Sequence, residues 1–248
     1  MRSLKKPKAW NIKGHLTQAP DLWREVKFLC PVWSDIPTDI SPYRHVASST
    51  TQVPSALSEK GKSLEATADN QYWKFTDKGF FESNDQEVVM FGVATWTGDS
   101  AFRELFSLGD NVFTKIIQKR SSDELAMRVD VVAGSFFYPI VTHTMSPGDV
   151  FAYVGRASTI KQRVSFTVRR LSDGETWTET WTGTPAVTTS SVLQSNGGNL
   201  FLCNLTDSFS RAWKVPVYMA GLSGTFWSDS ETEFFLSDPF AMLRPAGF

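Results

Sequence analysis

Two cysteines, three histidines and no long apolar run are all that a 248-residue chain offers here, and each scarcity removes a class of chemistry. Cys30 and Cys203 sit inside apolar stretches, Phe28-Leu29-Cys30 and Leu202-Cys203-Asn204. Neither belongs to a CxxC or Cys/His pattern, so the usual zinc ligand sets are excluded. A thiol within an apolar run is expected to be buried. The spacing does not decide between two free thiols and one disulfide, but a core of this size needs no staple, which favours thiols. His15, His45 and His143 are scattered, with no spacing suited to a metal or a catalytic triad. No apolar stretch reaches the ~18 residues of a membrane helix. The basic beginning of the chain lacks the apolar segment of a cleaved signal, so synthesis in the cytoplasm without such a signal is the expectation. Charge is balanced, 25 basic against 26 acidic residues, and gives no footprint for a polyanion. Neither a nucleic acid nor a membrane is expected as partner. No internal repeat, low-complexity tract or dividing linker occurs.

What is abundant is aromatic: 19 Phe and 9 Trp, within 41% hydrophobic and 21% charged residues. That is a globular composition, and its aromatic excess suits pleated, half-buried surfaces. Strand patterns recur along the chain. Val26 to Trp33 alternates, with Val26, Phe28, Cys30 and Val32 on one face. Residues 34–56 hold Pro37, Pro42 and Pro54 and read as a long loop or short edge pieces. Short candidates follow at Ser63 to Ala66 and Tyr72 to Phe75, then a strong one from Val88 to Trp96. Ala101 to Leu108, Phe113 to Lys119, Leu125 to Val132, Phe136 to Thr142, Asp149 to Gly155 and Arg163 to Leu171 continue the series. Asp173-Gly174 turns the chain into Thr176 to Thr182, a strong hairpin signal with Trp177 and Trp181 on one face. Leu200 to Leu205 and Val215 to Leu222 complete it. About a dozen short strands with frequent turns give an all-β sandwich or barrel.

One short helix is expected near the C-terminus. Ser230-Glu231-Thr232-Glu233 reads as a capping box, and Pro239 limits the helix to two turns. Residues 1–22, with Arg2, Lys5, Lys6, Lys8 and Lys13, read as an extended basic arm, and residues 23–248 as one domain including the tail.

The two ends carry a resemblance. Lys5-Lys6-Pro7 followed by Leu16-Thr17-Gln18-Ala19-Pro20-Asp21-Leu22-Trp23, and the closing Asp238-Pro239-Phe240-Ala241-Met242-Leu243-Arg244-Pro245, resemble phage-encoded laminin-G-like, concanavalin-A-like lectin-glucanase domain proteins. Gly61 to Trp73 and Val88 to Trp96 are similar to inner stretches of these domains. The chain departs from them at the central hairpin, matched only loosely by Asp149 to Trp181. The resemblance implies a two-sheet antiparallel jelly-roll sandwich with one short C-terminal helix. It also implies a virion structural protein: a capsid-decoration, collar or tail-appendage subunit in repeated copies. Its partners would be other virion proteins, with Lys5, Lys6, Lys8, Trp10 and Ile12 as an assembly arm. The alternative is a glycan-binding module for host-surface glycans. Its candidate residues are Trp96 with Asp99 and Trp177 with Trp181, with Asp110 and Asn111 as candidates for calcium. No oxygen-rich calcium run is present, so no cofactor is expected.

A glycoside hydrolase is the third and disfavoured reading. The related glucanases carry Glu-x-Asp-x-x-Glu on one strand, and retaining enzymes hold their two carboxylates about 5–5.5 Å apart. No such triplet occurs. Glu175 and Glu179 are the nearest pair that could share a face with the tryptophans, and no nucleophile elbow is present. The chain is therefore not expected to be an enzyme.

Overall fold

The computed structural model of the chain describes residues 20–23, 25–48, 52–58, 61–76, 86–109, 115–131, 135–191, 193, 199–204 and 211–244. A 3-10 turn at Pro20–Trp23 leads into β1 (Val26–Pro31), β2 (Ala47–Ser48), β3 (Ser55–Ser58), β4 (Gly61–Leu64), β5 (Trp73–Phe75), β6 (Glu87–Thr95), β7 (Arg103–Leu108) and β8 (Lys115–Lys119). Then come β9 (Glu124–Val131), β10 (Ser135–Phe137), β11 (Ile140–Thr142), β12 (Val150–Ser158), β13 (Arg163–Arg170), β14 (Thr176–Thr180), β15 (Leu200–Leu202) and β16 (Val217–Ser223). A helix, α1 (Asp229–Ser237), and a 3-10 turn at Ala241–Leu243 end the described chain. The strands form two eight-stranded antiparallel sheets. The first runs β14-β13-β12-β6-β16-β4-β3, with β1 also on β16; the second runs β10-β9-β8-β7-β15-β5-β2, with β11 also on β9. The all-β sandwich with a short C-terminal helix is the architecture expected from the sequence.

Between the sheets lies one large core, with Phe28, Met90, Phe106, Ile117, Met127, Phe151, Phe166, Trp213 and Leu222 among its members. The first sheet has a second apolar layer on its outer side. Along β6, Val88, Met90 and Ala94 join the inner core, while Val89, Phe91 and Val93 join the outer one. This explains why β6 reads as a near-continuous apolar run: it is buried on both faces. In β1, Phe28 and Cys30 point inward, but Val26 belongs to the outer layer. The pairing with β16 shifts register between Val26 and Phe28, and a bulge of this kind re-aims a side chain, so Val26 does not share the face expected for it. Phe136 to Thr142 is not one strand either. Pro139, which has no N–H to give a ladder, separates β10 and β11, and both pair with β9.

The outer layer is roofed by α1. Its cap is Ser228, not Ser230: the Ser228 hydroxyl accepts from the Glu231 amide, and the Glu231 carboxylate accepts from the Ser228 amide. Both serines precede a glutamate by three residues. The chain before the helix is fixed at Ser228: Trp227 packs on Phe91, and Arg156 holds both the Trp227 carbonyl and Asp229. The helix has nine residues, slightly more than two turns. Phe91 packs against Trp227 at 4.6 Å and Phe235 at 5.2 Å. Burying each such side chain is worth about 1.5–3 kcal/mol. Arg156, 2% exposed, ties the start of the helix to the sheet. It donates to the Trp227 carbonyl at 2.9 Å and the Ser165 hydroxyl at 3.2 Å, and pairs with Asp229 at 2.8 Å. The tail then returns along the sandwich. The Trp23 indole donates to the Met242 carbonyl at 2.9 Å, and Ala241 and Met242 are buried beside Leu22 and Trp23.

Cys30 and Cys203 are free and fully buried, and burial pushes both thiols up, Cys203 to about 12. A thiol reagent should therefore label neither in the native protein and two per chain in denaturant; fast native labelling would contradict this packing. The cap gives a second expectation. Ser228→Ala should lower stability by about 1 kcal/mol, whereas Ser230→Ala should stay within about 0.5 kcal/mol, both read from urea midpoints.

Candidate functional site

Trp96 follows β6 at one end of the sandwich and is 0% exposed. The Lys119 ammonium lies 5.3 Å from its ring, the His143 ring 4.3 Å away edge-on, and Trp213 6.2 Å away. No face of the indole is left for a sugar, so its expected role as a binding platform is replaced by a core role. Asp99, its expected companion, is an ion-pair node. It meets Arg103 at 2.8 Å, Lys119 at 2.5 Å and the Thr97 hydroxyl at 2.9 Å. Burial pushes the Asp99 carboxyl up, but the hydrogen bonds from Lys119, Arg103 and Thr97 outweigh it and hold it at about 2. A carboxylate this committed has little to offer a ligand.

Trp177 and Trp181 share a face, as the strand period requires, and both pack half-buried against the inner core. Trp177 lies 5.6 Å from the Arg170 guanidinium and 5.8 Å from the His143 ring. The Trp181 indole donates to the Pro185 carbonyl at 2.9 Å. Gly183 lies against the same ring, where an added Cβ would come within 2.6 Å of it. These rings close the edge where β14 passes β11, and each is engaged on part of its surface by the protein itself. Glu175, just before β14, is held by Arg170 and by the Thr144 hydroxyl, while Glu179, four residues further on within β14, is exposed. Asp110 and Asn111, and the arm residues Lys5, Lys6, Lys8, Trp10 and Ile12, lie outside the described residues. Among the described residues, no three His, Cys, Asp or Glu side chains gather as they would around a metal ion.

A concave site does exist, built from residues that no motif joins. A pocket of about 370 Å³ opens on the outer side of the first sheet. Its floor is Val93 of β6, Val150 of β12 and Tyr218 of β16; the rim is Gly148 and Asp149 before β12, and Leu171 and Ser172 after β13; one wall is Phe240 of the tail. Tyr218 is 6% exposed, and its phenol has no hydrogen-bond partner among the described residues. Asp149 accepts from the Ser146 amide through Oδ2 at 2.8 Å, and that oxygen lies 3.5 Å from Arg170. The Ser172 hydroxyl is exposed at the turn. Three strands, two turns and the tail meet here, so the lining residues are far apart in sequence. In the sequence, the apolar Phe240 beside Pro239 is the one residue of the lining that stands out.

A second surface is formed by the loop after β1. The Asp39 carboxylate, buried, accepts from the amides of Leu29, Ser41 and His45 at 2.8–3.0 Å and from the Ser41 hydroxyl at 2.8 Å. It knots the loop after β1 into one shape. Asp35, further out, pairs with Lys62 of β4 at 2.7 Å. This loop holds Trp33, Ile36, Tyr43 and Val46 out in water, beside Leu57 on the edge strand β3, which is 84% exposed. Exposed apolar side chains grouped on a fixed loop are a contact surface in waiting.

With the geometry set out, comparison with known proteins adds the fold. No protein-family model matches the chain, and no curated protein matches it in sequence. Solved structures do. The binding domain of botulinum neurotoxin serotype D superposes with a TM-score of 0.64 at 6% identity, covering 90% of this chain and 53% of that one. A botulinum neurotoxin DC binding domain in complex with SialylT gives 0.61 at 8%, covering 87% and 52%. The binding domain of Paraclostridial Mosquitocidal Protein 1 gives 0.58 at 12%, again 87% and 52%. The shared feature is a lectin-like β-sandwich. The chain spans about half the length of each of these domains. None of the three is a phage or laminin-G protein, the family that the chain ends resemble. Among the described residues, no helix is long and apolar enough to cross a membrane.

His143, wedged between Trp96 and Trp177, sets a pH limit for this end of the molecule. It is 4% exposed; its Nδ1 accepts from the Met145 amide at 3.2 Å, so the proton is assigned to Nε2. Burial is the main cause that pushes its pKa down, to about 4. Unfolding raises it to the ordinary value near 6.5, so the unfolded chain binds the extra proton first. Stability from the neutral ring is therefore complete above about pH 6.5 and is lost as pH falls towards 4, by about 3 kcal/mol in all. His143→Gln should flatten the fall of urea stability between pH 6.5 and 4; an unchanged pH slope would show that another group governs it.

Proposed function

We propose that this chain is a carbohydrate-recognising binding module and not an enzyme. The observation that carries the reading is the pocket on the first sheet, where apolar and aromatic walls meet an unpartnered phenol, a carboxylate and a hydroxyl. Sugars present exactly such a mixture, apolar C–H patches and a ring of hydroxyls, and a binding site for them needs convergent polar groups on a largely apolar surface. The strands that form the floor are buried on both sides, so the polar groups are held in place before the ligand arrives. The likeness in fold to receptor-binding domains supports recognition as the task of this sandwich. It favours the glycan-binding alternative over the virion assembly role that the chain ends suggested.

Glycosidic hydrolysis needs an acid and a second carboxylate on opposite sides of the scissile bond. Asp149 has no such partner across the pocket, since Asp173 and Glu175 are both turned to Arg170. A glycan array probed with the isolated protein, followed by calorimetry on the strongest hits, should give saturable binding. The same glycans should be recovered uncleaved after prolonged incubation. Release of reducing ends would overturn the non-catalytic part of this reading, and an array with no saturable hit would overturn the rest.

A further inference from the structure

We infer that the pocket takes a single neutral pyranose, a terminal hexose or N-acetylhexosamine, and turns away sialylated ends. This rests on the carbohydrate reading above and adds the residues and the charge of the ligand. Size comes first. A volume of about 370 Å³ is at the small end of ligand pockets, room for one sugar ring and its substituents but not for a chain. The lining then divides the work. Val93, Val150 and Leu171 form an apolar floor, and Phe240 supplies an aromatic wall for the C–H face of the ring. The Tyr218 phenol, nine-tenths buried and without a partner among the described residues, is a donor and acceptor left for the ligand. Asp149 spends Oδ2 on the Ser146 amide and Arg170 and keeps Oδ1 for a hydroxyl. Ser172 stands on the same rim, where the ends of β12 and β13 lie side by side.

Charge decides the class of sugar. Of the described lining residues Asp149 alone is charged, and Arg170, which it meets at 3.5 Å, is shared with Asp173 at 2.6 Å and with Glu175. The described lining therefore carries one carboxylate and no cation, and the guanidinium beside that carboxylate is already engaged. An incoming carboxylate would meet Asp149 without a free positive partner, which is the arrangement that rejects it. A neutral sugar meets only hydrogen-bonding groups.

The test uses the full chain and a defined panel: methyl glycosides of galactose, glucose, mannose and N-acetylglucosamine, with sialyllactose as the anionic probe. Calorimetry should find one or more neutral glycosides bound and sialyllactose at least tenfold weaker. Tyr218→Phe, which removes one hydroxyl and keeps the packing, should weaken the neutral ligand about 2- to 10-fold, the effect of one neutral hydrogen bond. Asp149→Asn should weaken it tenfold or more and narrow the gap to sialyllactose. Saturation-transfer NMR should show ligand C–H protons near the rings of Tyr218 and Phe240, a signal that a change in folding alone does not produce. Neutral-glycan binding that ignores both substitutions would leave the chain a lectin and overturn this site. Sialyllactose bound as tightly as the neutral sugars would overturn the charge rule. A chain that binds no glycan at all would overturn the site and the function together.

Discussion

The first sheet is apolar on both faces, and the rest of the molecule is arranged around that fact. A sandwich needs one apolar face per sheet. Here β6 and β12 carry a second, and leaving Val89, Phe91, Val93, Ala152 and Val154 in water would cost several kcal/mol. The C-terminal third of the fold answers this demand. Trp227, Phe235 and Leu236 lie over the sheet, and the tail brings Ala241 and Met242 to the 3-10 turn at Leu22 and Trp23. Arg156 is part of the same solution. A guanidinium beneath a helix start is expensive unless it is paired and hydrogen-bonded, and Ser165, the Trp227 carbonyl and Asp229 give each of its three nitrogens a partner. The cover is thus held both by apolar contact and by a buried charge that tolerates only one seating.

The pocket is where that cover ends. The helix shields the middle of the outer face, and the tail reaches Phe240 before turning away, so Val93, Val150 and Tyr218 are left at the margin with a wall on one side only. A cavity at the boundary between a rigid sheet and its roof needs no special loop to form it. It also explains why two of the three polar groups there, Asp149 and Ser172, come from turns: Gly148 to Asp149 and Leu171 to Ser172 are the ends of strands whose middles are already committed to packing.

Most of the architecture was legible in the sequence, because period-two patterns and turn residues act locally. The β13–β14 hairpin at Asp173-Gly174, the inward face Val164, Phe166 and Val168, and the Pro239 stop of the helix all follow from neighbours within a few positions. Misplacements occur where the outcome is set from a distance. Ser228 and Ser230 begin equally good capping boxes, and only the outer face of the sheet chooses between them. Val26 is turned outward by a bulge against β16, nearly two hundred residues on. The pocket was not legible for the same reason: Val93, Asp149, Ser172, Tyr218 and Phe240 share no spacing, and nothing in an isolated Tyr says that its hydroxyl will lack a partner.

The tryptophans show why conspicuous residues mislead in a chain rich in aromatics. A large ring is valued by a sugar site and by a core for the same property, a broad apolar face, so the residue type cannot distinguish the two uses. What distinguishes them is whether the face is already taken. Trp96 has Lys119 and His143 against it, Trp177 has Arg170 and His143, and Trp181 has Gly183. Each of these contacts also closes a seam that a two-sheet sandwich must close: one end of the core, and the edge between β14 and β11. With nine tryptophans and 19 phenylalanines to place, sealing the fold takes most of the large rings that are described, Trp33 on the loop after β1 being an exception. A ligand is then met by what sealing leaves over, which here is a tyrosine with a spare hydroxyl and a phenylalanine at the margin of the roof.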